Sequence, residues 1–270
     1  MKTFKFMLLF IPILLNSNII SQTNGWFEQQ SGTSEHLNAC SFVDENLGIA
    51  VGFNGLILRT TDGGVYWGEV TSNSNENLFE VQMVSHDLGW VVGENGTILK
   101  TLNGGINWDS QVSSTQEFLS SCSFIDESIG WIVGNNGIVL KTSNGGANWN
   151  NVNVGVNNHL NDVNFISSDT GWMVGGLNLL RTEDGGQTWN NIYLNSFDKI
   201  IFLDNNIGWG ITQGAFFNTS IFRTTDGGYN WDVKLSSAGT AYRAIYFINE
   251  AKGWTVGENG LILKESVDGR

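Results

Sequence analysis

The chain has 270 residues but a single proline, Pro12, and only two cysteines, Cys40 and Cys122. So little cysteine excludes a disulfide-stapled scaffold. The two sit in the same setting, Leu-x-x-Cys-Ser-Phe, in non-adjacent copies of a repeat, too far apart for bridge geometry. Both are expected to be small buried apolar residues. Cations are also scarce, with 13 Lys and Arg against 26 Asp and Glu. That balance opposes nucleic-acid binding, which needs clustered Lys and Arg, and docking on anionic lipid. The three histidines, His36, His86 and His159, are isolated in the sequence. No metal-ligand spacing and no phosphate loop is present, so neither metal nor cofactor is expected.

Long apolar runs are missing as well. The run from Phe6 to Leu15 is shorter than the roughly 20 residues that span a bilayer. It follows Lys2 and Lys5 and precedes the polar stretch 16–22, which is the pattern of a secretory signal. The expected organisation is a signal peptide over 1–22 and one domain over 23–270. The mature chain is expected to be exported, periplasmic or extracellular, with no direct membrane insertion.

What the chain has is tryptophan on a comb. Trp26, Trp67, Trp108, Trp149, Trp189 and Trp231 recur with gaps of 40 to 42 residues. Trp90, Trp131, Trp172, Trp209 and Trp254 form a second comb, each directly after a glycine, with Ile49 where the first repeat would place its member. A fixed period of this length marks a repeat architecture. Within each period, short β-branched and aromatic runs alternate with Gly and Asn clusters, which reads as strands and hairpins. Asn-Gly at 54–55, 95–96, 136–137 and 259–260 favours tight turns. Each unit has four strands: A ends near Phe42, Met83, Phe124, Phe165, Phe202 and Phe247, B follows the Gly-Trp pair, C is a Leu-Ile-Leu type run, and D begins at the comb tryptophan.

Four-stranded units around an axis make an all-β, antiparallel β-propeller. Six are counted. The sixth stops after its strand C, and Trp26-Phe-Glu-Gln supplies a strand D with nothing before it. The last blade is therefore expected to be closed by the N-terminal strand, which would remove an open edge. The competing account is a truncated seven-bladed chain. The tryptophans, with their strict period, are read as blade packing.

The turn before each comb tryptophan carries the most specific motif. It reads Thr60-Thr-Asp62-Gly-Gly64, Thr101-Leu-Asn103-Gly-Gly105, Thr142-Ser-Asn144-Gly-Gly146, Thr182-Glu-Asp184-Gly-Gly186 and Thr224-Thr-Asp226-Gly-Gly228. An Asp or Asn side chain can accept bonds from turn amides, and the glycines take positive φ. These turns resemble the Asp box of sialidases, other glycosidases and sortilin-type receptors. The whole repeat, Gly-Trp-x-Val-Gly-x-x-Gly-x-Ile-Leu-Lys/Arg-Thr-x-Asp/Asn-Gly-Gly-x-x-Trp, resembles most closely the photosystem II assembly and stability factors, over about 26–270. That resemblance implies an exported, non-catalytic propeller that docks on a membrane-protein assembly intermediate. The family is typically seven-bladed, against the six counted here.

Six cations occupy one repeated place at the end of strand C: Arg59, Lys100, Lys141, Arg181, Arg223 and Lys264. They form a candidate partner-binding ring, since the family is similar in having a functional arginine patch. Alternatively, each pairs with a neighbouring carboxylate or lies over a tryptophan. Blade five carries extra residues, 213–220, with Phe216 and Phe217 as candidate contact aromatics. They could equally pack on a neighbour. Off the ring, the arginines are Arg243 and Arg270, too few for a sialidase carboxylate cluster, and no spacing singles out a catalytic carboxylate pair. The expectation is a non-enzymatic scaffold for a protein partner. The alternative is a carbohydrate-binding or glycosidase-related propeller.

Overall fold

The computed structural model describes residues 29–193, 195–212, 219–237, 241–258 and 261–265. Blade one holds β1 (Leu37–Phe42), β2 (Gly48–Gly52), β3 (Ile57–Thr60) and β4 (Gly68–Val70). Blade two holds β5 (Leu78–Met83), β6 (Gly89–Gly93), β7 (Ile98–Thr101) and β8 (Asp109–Ser110). Blade three holds β9 (Leu119–Phe124), β10 (Gly130–Gly134), β11 (Val139–Thr142) and β12 (Asn150–Asn151). Blade four holds β13 (Asp162–Phe165), β14 (Gly171–Gly175), β15 (Asn178–Thr182) and β16 (Asn190–Tyr193). Blade five holds β17 (Lys199–Phe202), β18 (Gly208–Thr212), β19 (Thr219–Thr224) and β20 (Asp232–Ser237). Blade six holds β21 (Tyr242–Asn249), β22 (Lys252–Gly257) and β23 (Ile262–Lys264). Each sheet is an antiparallel meander in chain order, and strand A of each blade touches strand A of the next from blade one to blade six. The fold is a six-bladed β-propeller with the A strands lining its channel.

Local chemistry explains each blade. Asn54 and Gly55 both take positive φ, 58° and 72°, as a primed hairpin turn requires, and the same turn recurs at 95–96 and 136–137. The glycine ahead of the second-comb tryptophan has another purpose. Gly130 pairs with Phe124, and a Cβ there would run into the phenylalanine ring. That ring in turn stacks on the tryptophan of the preceding blade. Trp90 on Phe124, Trp131 on Phe165, Trp172 on Phe202 and Trp209 on Phe247 have centroids 3.7, 3.5, 3.7 and 4.3 Å apart. Burying such rings is the main stabilising term, about 25 cal/mol per Å² of apolar surface. Blade one lacks the tryptophan and blade two lacks the phenylalanine. Ile49 and Met83 instead share one core cluster at that junction.

Strand D starts one residue past the comb tryptophan rather than at it. The ladder pairs Lys100 with Asp109, so Trp108 stays outside it with its ring buried. Cys122 is buried as expected, but Cys40 is exposed. Cys122 faces the preceding blade and packs with Trp90 and Ile132.

The blade six to blade one junction differs from the others. Phe42 is 44% exposed, whereas Phe124, Phe165, Phe202 and Phe247 are 4 to 6% exposed. Among the described residues, no stack joins Trp254 to Phe42. Trp26, the residue expected to open the closing strand, lies outside the described residues, as do the leader 1–22 and Gly260. Gln29 is described. Trp67 Nε1 donates to Gln29 Oε1 at 3.2 Å, and Gln29 Nε2 donates to the Gly63 carbonyl. Gln111, three residues after Trp108 as Gln29 is three after Trp26, accepts from Trp149 Nε1 at 3.3 Å. Gln29 therefore makes to blade one the contact that Gln111, directly after strand D of blade two, makes to blade three.

Candidate functional site

Three residues before Phe42, Met83, Phe124, Phe165, Phe202 and Phe247, the A strands carry Ala39, Glu80, Ser121, Asp162, Lys199 and Ala244. The charged members meet. Lys199 Nζ lies 3.2 Å from Glu80 Oε2 and 3.4 Å from Asp162 Oδ1. Asp162 also accepts from Ser121 Oγ at 2.7 Å and from the Ile200 N–H at 3.0 Å. Lys199 and Glu80 keep 29% and 23% of their side chains open, because water can enter the channel while protein surrounds them. Burial pushes the Glu80 carboxyl up, against the pull of Lys199. Burial alone would lower the Lys199 ammonium; the Asp162 and Glu80 carboxylates outweigh it and hold Lys199 above the usual lysine value. Nothing in a single repeat marks these residues. Aligning the repeats on Met83 and the equivalent phenylalanines brings them into one column.

At the same end of the channel, where the A strands begin, five rings form an arc across blades one to four. His36 meets Phe53 at 5.2 Å between centroids, Phe53 meets Phe79 at 6.1 Å, Phe79 meets Phe118 at 4.6 Å, and Phe118 meets His159 at 5.6 Å. Two histidines that look isolated in the sequence thus bracket a phenylalanine row. His86, on the other face, lies 3.1 Å from Asp44. Among the described residues, no group of three or more His, Cys, Asp or Glu is placed to hold a metal ion.

The strand C cations sit on the opposite face, but the heads of Arg59, Lys100, Lys141, Arg181 and Arg223 are engaged. Lys100, Lys141, Arg181 and Arg223 lie 5.1 to 5.6 Å from the centroids of Trp90, Trp131, Trp172 and Trp209 in their own blades. Arg59 Nε, Lys100 Nζ and Lys141 Nζ donate to the carbonyls of Gly104, Gly145 and Gly185 in the next blade, at 2.6 to 2.7 Å. Arg181 pairs with Glu183 and lies over Tyr229, and Arg223 pairs with Glu250. Lys264 is exposed, and Lys252 lies nearest the Trp254 ring. The ring therefore comes together as a set of clamps between blades. Phe216 and Phe217 lie outside the described residues.

The Asp-box-like turns are stapled as their chemistry suggests. Asp184 Oδ1 accepts from the Thr188 N–H at 2.9 Å and Oδ2 from Thr188 Oγ1 at 2.6 Å, while Thr182 Oγ1 accepts from the Gly186 N–H. Thr188 holds the Asp184 carboxyl down, to about 2. Two clefts, of 270 and 160 Å³, open between neighbouring blades, one beside Lys100 and Gln111 and one beside Trp254 and Leu263. Both are smaller than the roughly 300–1,000 Å³ of typical ligand pockets.

The repeat grammar and the propeller agree with one family model, described as photosynthesis system II assembly factor YCF48, which matches residues 19–110, 65–156 and 147–215. The chain belongs to that family. No curated protein matches it in sequence. Among solved structures, a YCF48 bound to a D1 peptide is similar at 19% identity and TM-score 0.63, covering 91% of this chain and 96% of that one. A YCF48 from Cyanidioschyzon merolae is similar at 19% identity and TM-score 0.57, covering 88% and 97%. A GH74 enzyme from Niastella koreensis is similar at 17% identity and TM-score 0.68, over 84% of this chain and 44% of the enzyme. At such identities the likeness to these structures is one of fold. The YCF48 family membership rests on the sequence match.

Proposed function

We propose that this member of the YCF48 family is an exported, non-catalytic scaffold that binds a protein partner, with a membrane-protein complex as the partner class. The observation that carries it is the family match, joined to a relative of the same fold whose structure has a peptide bound. Export rests on the charged and apolar pattern of residues 1–22. Non-catalysis is supported by the channel. Its facing carboxylates, Glu80 and Asp162, are both tied to Lys199 rather than left as an acid and base pair. Arg59, Lys100, Lys141, Arg181 and Arg223 are held by blade contacts, which leaves Lys264 as the open member of the ring.

A second function, sugar binding or glycoside hydrolysis, is favoured by the fold likeness to a GH74 enzyme and by the aromatic arc. Affinity capture from native envelope extract, with in-cell crosslinking, separates the two. A protein partner recovered by both routes supports the scaffold. Retention or cleavage of soluble polysaccharide, with no protein partner, overturns it.

A further inference from the structure

We propose that the channel mouth over blades one to four docks a cationic, aromatic- or aliphatic-bearing segment of the partner protein. The inference rests on the scaffold function above and places its contact surface away from the cation ring.

Three independent features converge there. The first is the arc of half-buried Phe53, Phe79, Phe118 and His159 with exposed His36 at one end, a strip shared by four blades. Aromatic rings of this kind anchor interfaces because they contribute a large contact area at little entropy cost. Burial lowers the His159 imidazole, so that end of the strip is neutral at pH 7.

The second is a row of carboxylates beside the strip. Glu35, Glu76 and Glu117 repeat at a period of 41 residues, and Asn158 takes the fourth place. Each glutamate accepts one bond from the asparagine of an Asn-Gly turn: Asn54 at 3.0 Å, Asn95 at 2.7 Å and Asn136 at 2.9 Å. Glu94 accepts likewise from Asn77. Among the described residues none of the four has a cationic partner.

The third is the distribution of positive charge. Between residues 29 and 193 the cations are Arg59, Lys100, Lys141 and Arg181, and all end strand C on the far face. Lys199 on strand A of blade five is held by Glu80 and Asp162, and Arg243 on strand A of blade six pairs with Glu258. The mouth thus offers uncompensated carboxylates around an apolar strip. The complementary ligand carries Lys or Arg next to rings or branched aliphatic side chains. An anionic or purely polar ligand meets like charge there.

The test uses fluorescence anisotropy on the mature chain with three labelled 12-residue probes: alternating Arg and Phe, alternating Arg and Ser, and alternating Glu and Phe. Cellohexaose serves as a competitor. Two variants remove one component each: Phe79→Ala/Phe118→Ala for the strip, and Glu35→Gln/Glu76→Gln/Glu117→Gln for the charge. Glu45→Gln/Glu69→Gln/Glu127→Gln, away from the mouth, controls for net charge. Should the phenylalanine variant melt early, the glutamine variant alone decides. The expected result is binding of the Arg-Phe probe that weakens about tenfold in each mouth variant and not in the control, with the other two probes weaker. Equal loss in the control, no loss in the mouth variants, or preference for the Glu-Phe probe overturns the inference. A protein partner still captured by the glutamine variant overturns the docking site and leaves the scaffold standing. Displacement by cellohexaose, with no protein partner, overturns both.

Discussion

Lys199 Nζ reaches Glu80 Oε2 at 3.2 Å across the channel, although 119 residues separate them. The contact ties blade five to blade two, and Asp162 adds blade four. Replacing the lysine leaves two carboxylates facing each other with no cation.

Lys199→Met is therefore expected to destabilise the fold by about 2 kcal/mol, below the roughly 3–5 kcal/mol of a fully buried pair because water enters the channel. The triple change Lys199→Met/Glu80→Gln/Asp162→Asn should recover much of that loss. Urea unfolding of the single and triple variants measures it. Equal stability of the wild type and Lys199→Met would show that the strut carries no weight.

Acid sensitivity should come partly from the turns. Asp184 is held down to about 2 by Thr188, against an ordinary value near 3.8. A depressed carboxylate stabilises the fold above its unfolded value, and that contribution is lost as pH falls from about 4 towards 2. Glu80 has the opposite sign: its raised value makes the fold less stable as pH rises above the ordinary glutamate range. Asp184→Asn, which copies Asn103 and Asn144 of blades two and three, should keep the turn and flatten the acid limb of a melting-temperature profile between pH 4 and 2. An unchanged acid limb would remove Asp184 from the explanation.

The inter-blade clamps should matter more than ordinary surface charges. Lys141 donates to the Gly185 carbonyl at 2.6 Å and lies over Trp131. Lys141→Ala is expected to cost about 1–2 kcal/mol, against under about 0.5 kcal/mol for Lys234→Ala, whose partner Asp232 is on the exposed surface. Thermal melts of the pair, run side by side, provide the comparison. Equal effects would mean that the ring is not structural.

Closure can be tested at Gln29. Gln29→Ala and Gln111→Ala remove equivalent contacts to Trp67 and Trp149 and should cost about 1 kcal/mol each. Deleting residues 1–29 should do much more, and expose an edge that aggregates. Light scattering with chemical denaturation reads both. A deletion that melts like the full chain would argue against a closing N-terminal strand.

The fold was legible because its signals repeat. Six Gly-aromatic or Gly-Ile pairs, five stapled turns and the Asn-Gly hairpins each restate the same blade, so one ambiguous copy does little harm. Ile49 and Met83 illustrate the limit. Either alone looks like a lapse in the pattern, and only the packed junction shows that they replace one stack together. The channel strut and the aromatic arc were hidden for a different reason. Glu80, Asp162 and Lys199 come from three blades, and His36 from the first blade meets the row that ends at His159 in the fourth. Spacing along the chain shows blade positions but not which side chains converge around an axis. The cation ring was visible as a column, yet its use depended on where the neighbouring glycine carbonyls lie.

One set of links between blades points forward along the chain. Ser41, Gln82, Ser123 and Asn164 each accept the backbone N–H of the next blade's Met83, Phe124, Phe165 or Phe202, at 2.7 to 3.0 Å. The tryptophan stacks and cation clamps run the same way. A blade emerging from the ribosome thus keeps its indole and its latch unsatisfied until its successor arrives. Synthesis resembles a line of hands, each held out for one not yet there. Every premature stop leaves one hand empty. Assembly then proceeds one blade behind synthesis, and the nascent chain carries one sticky indole face throughout.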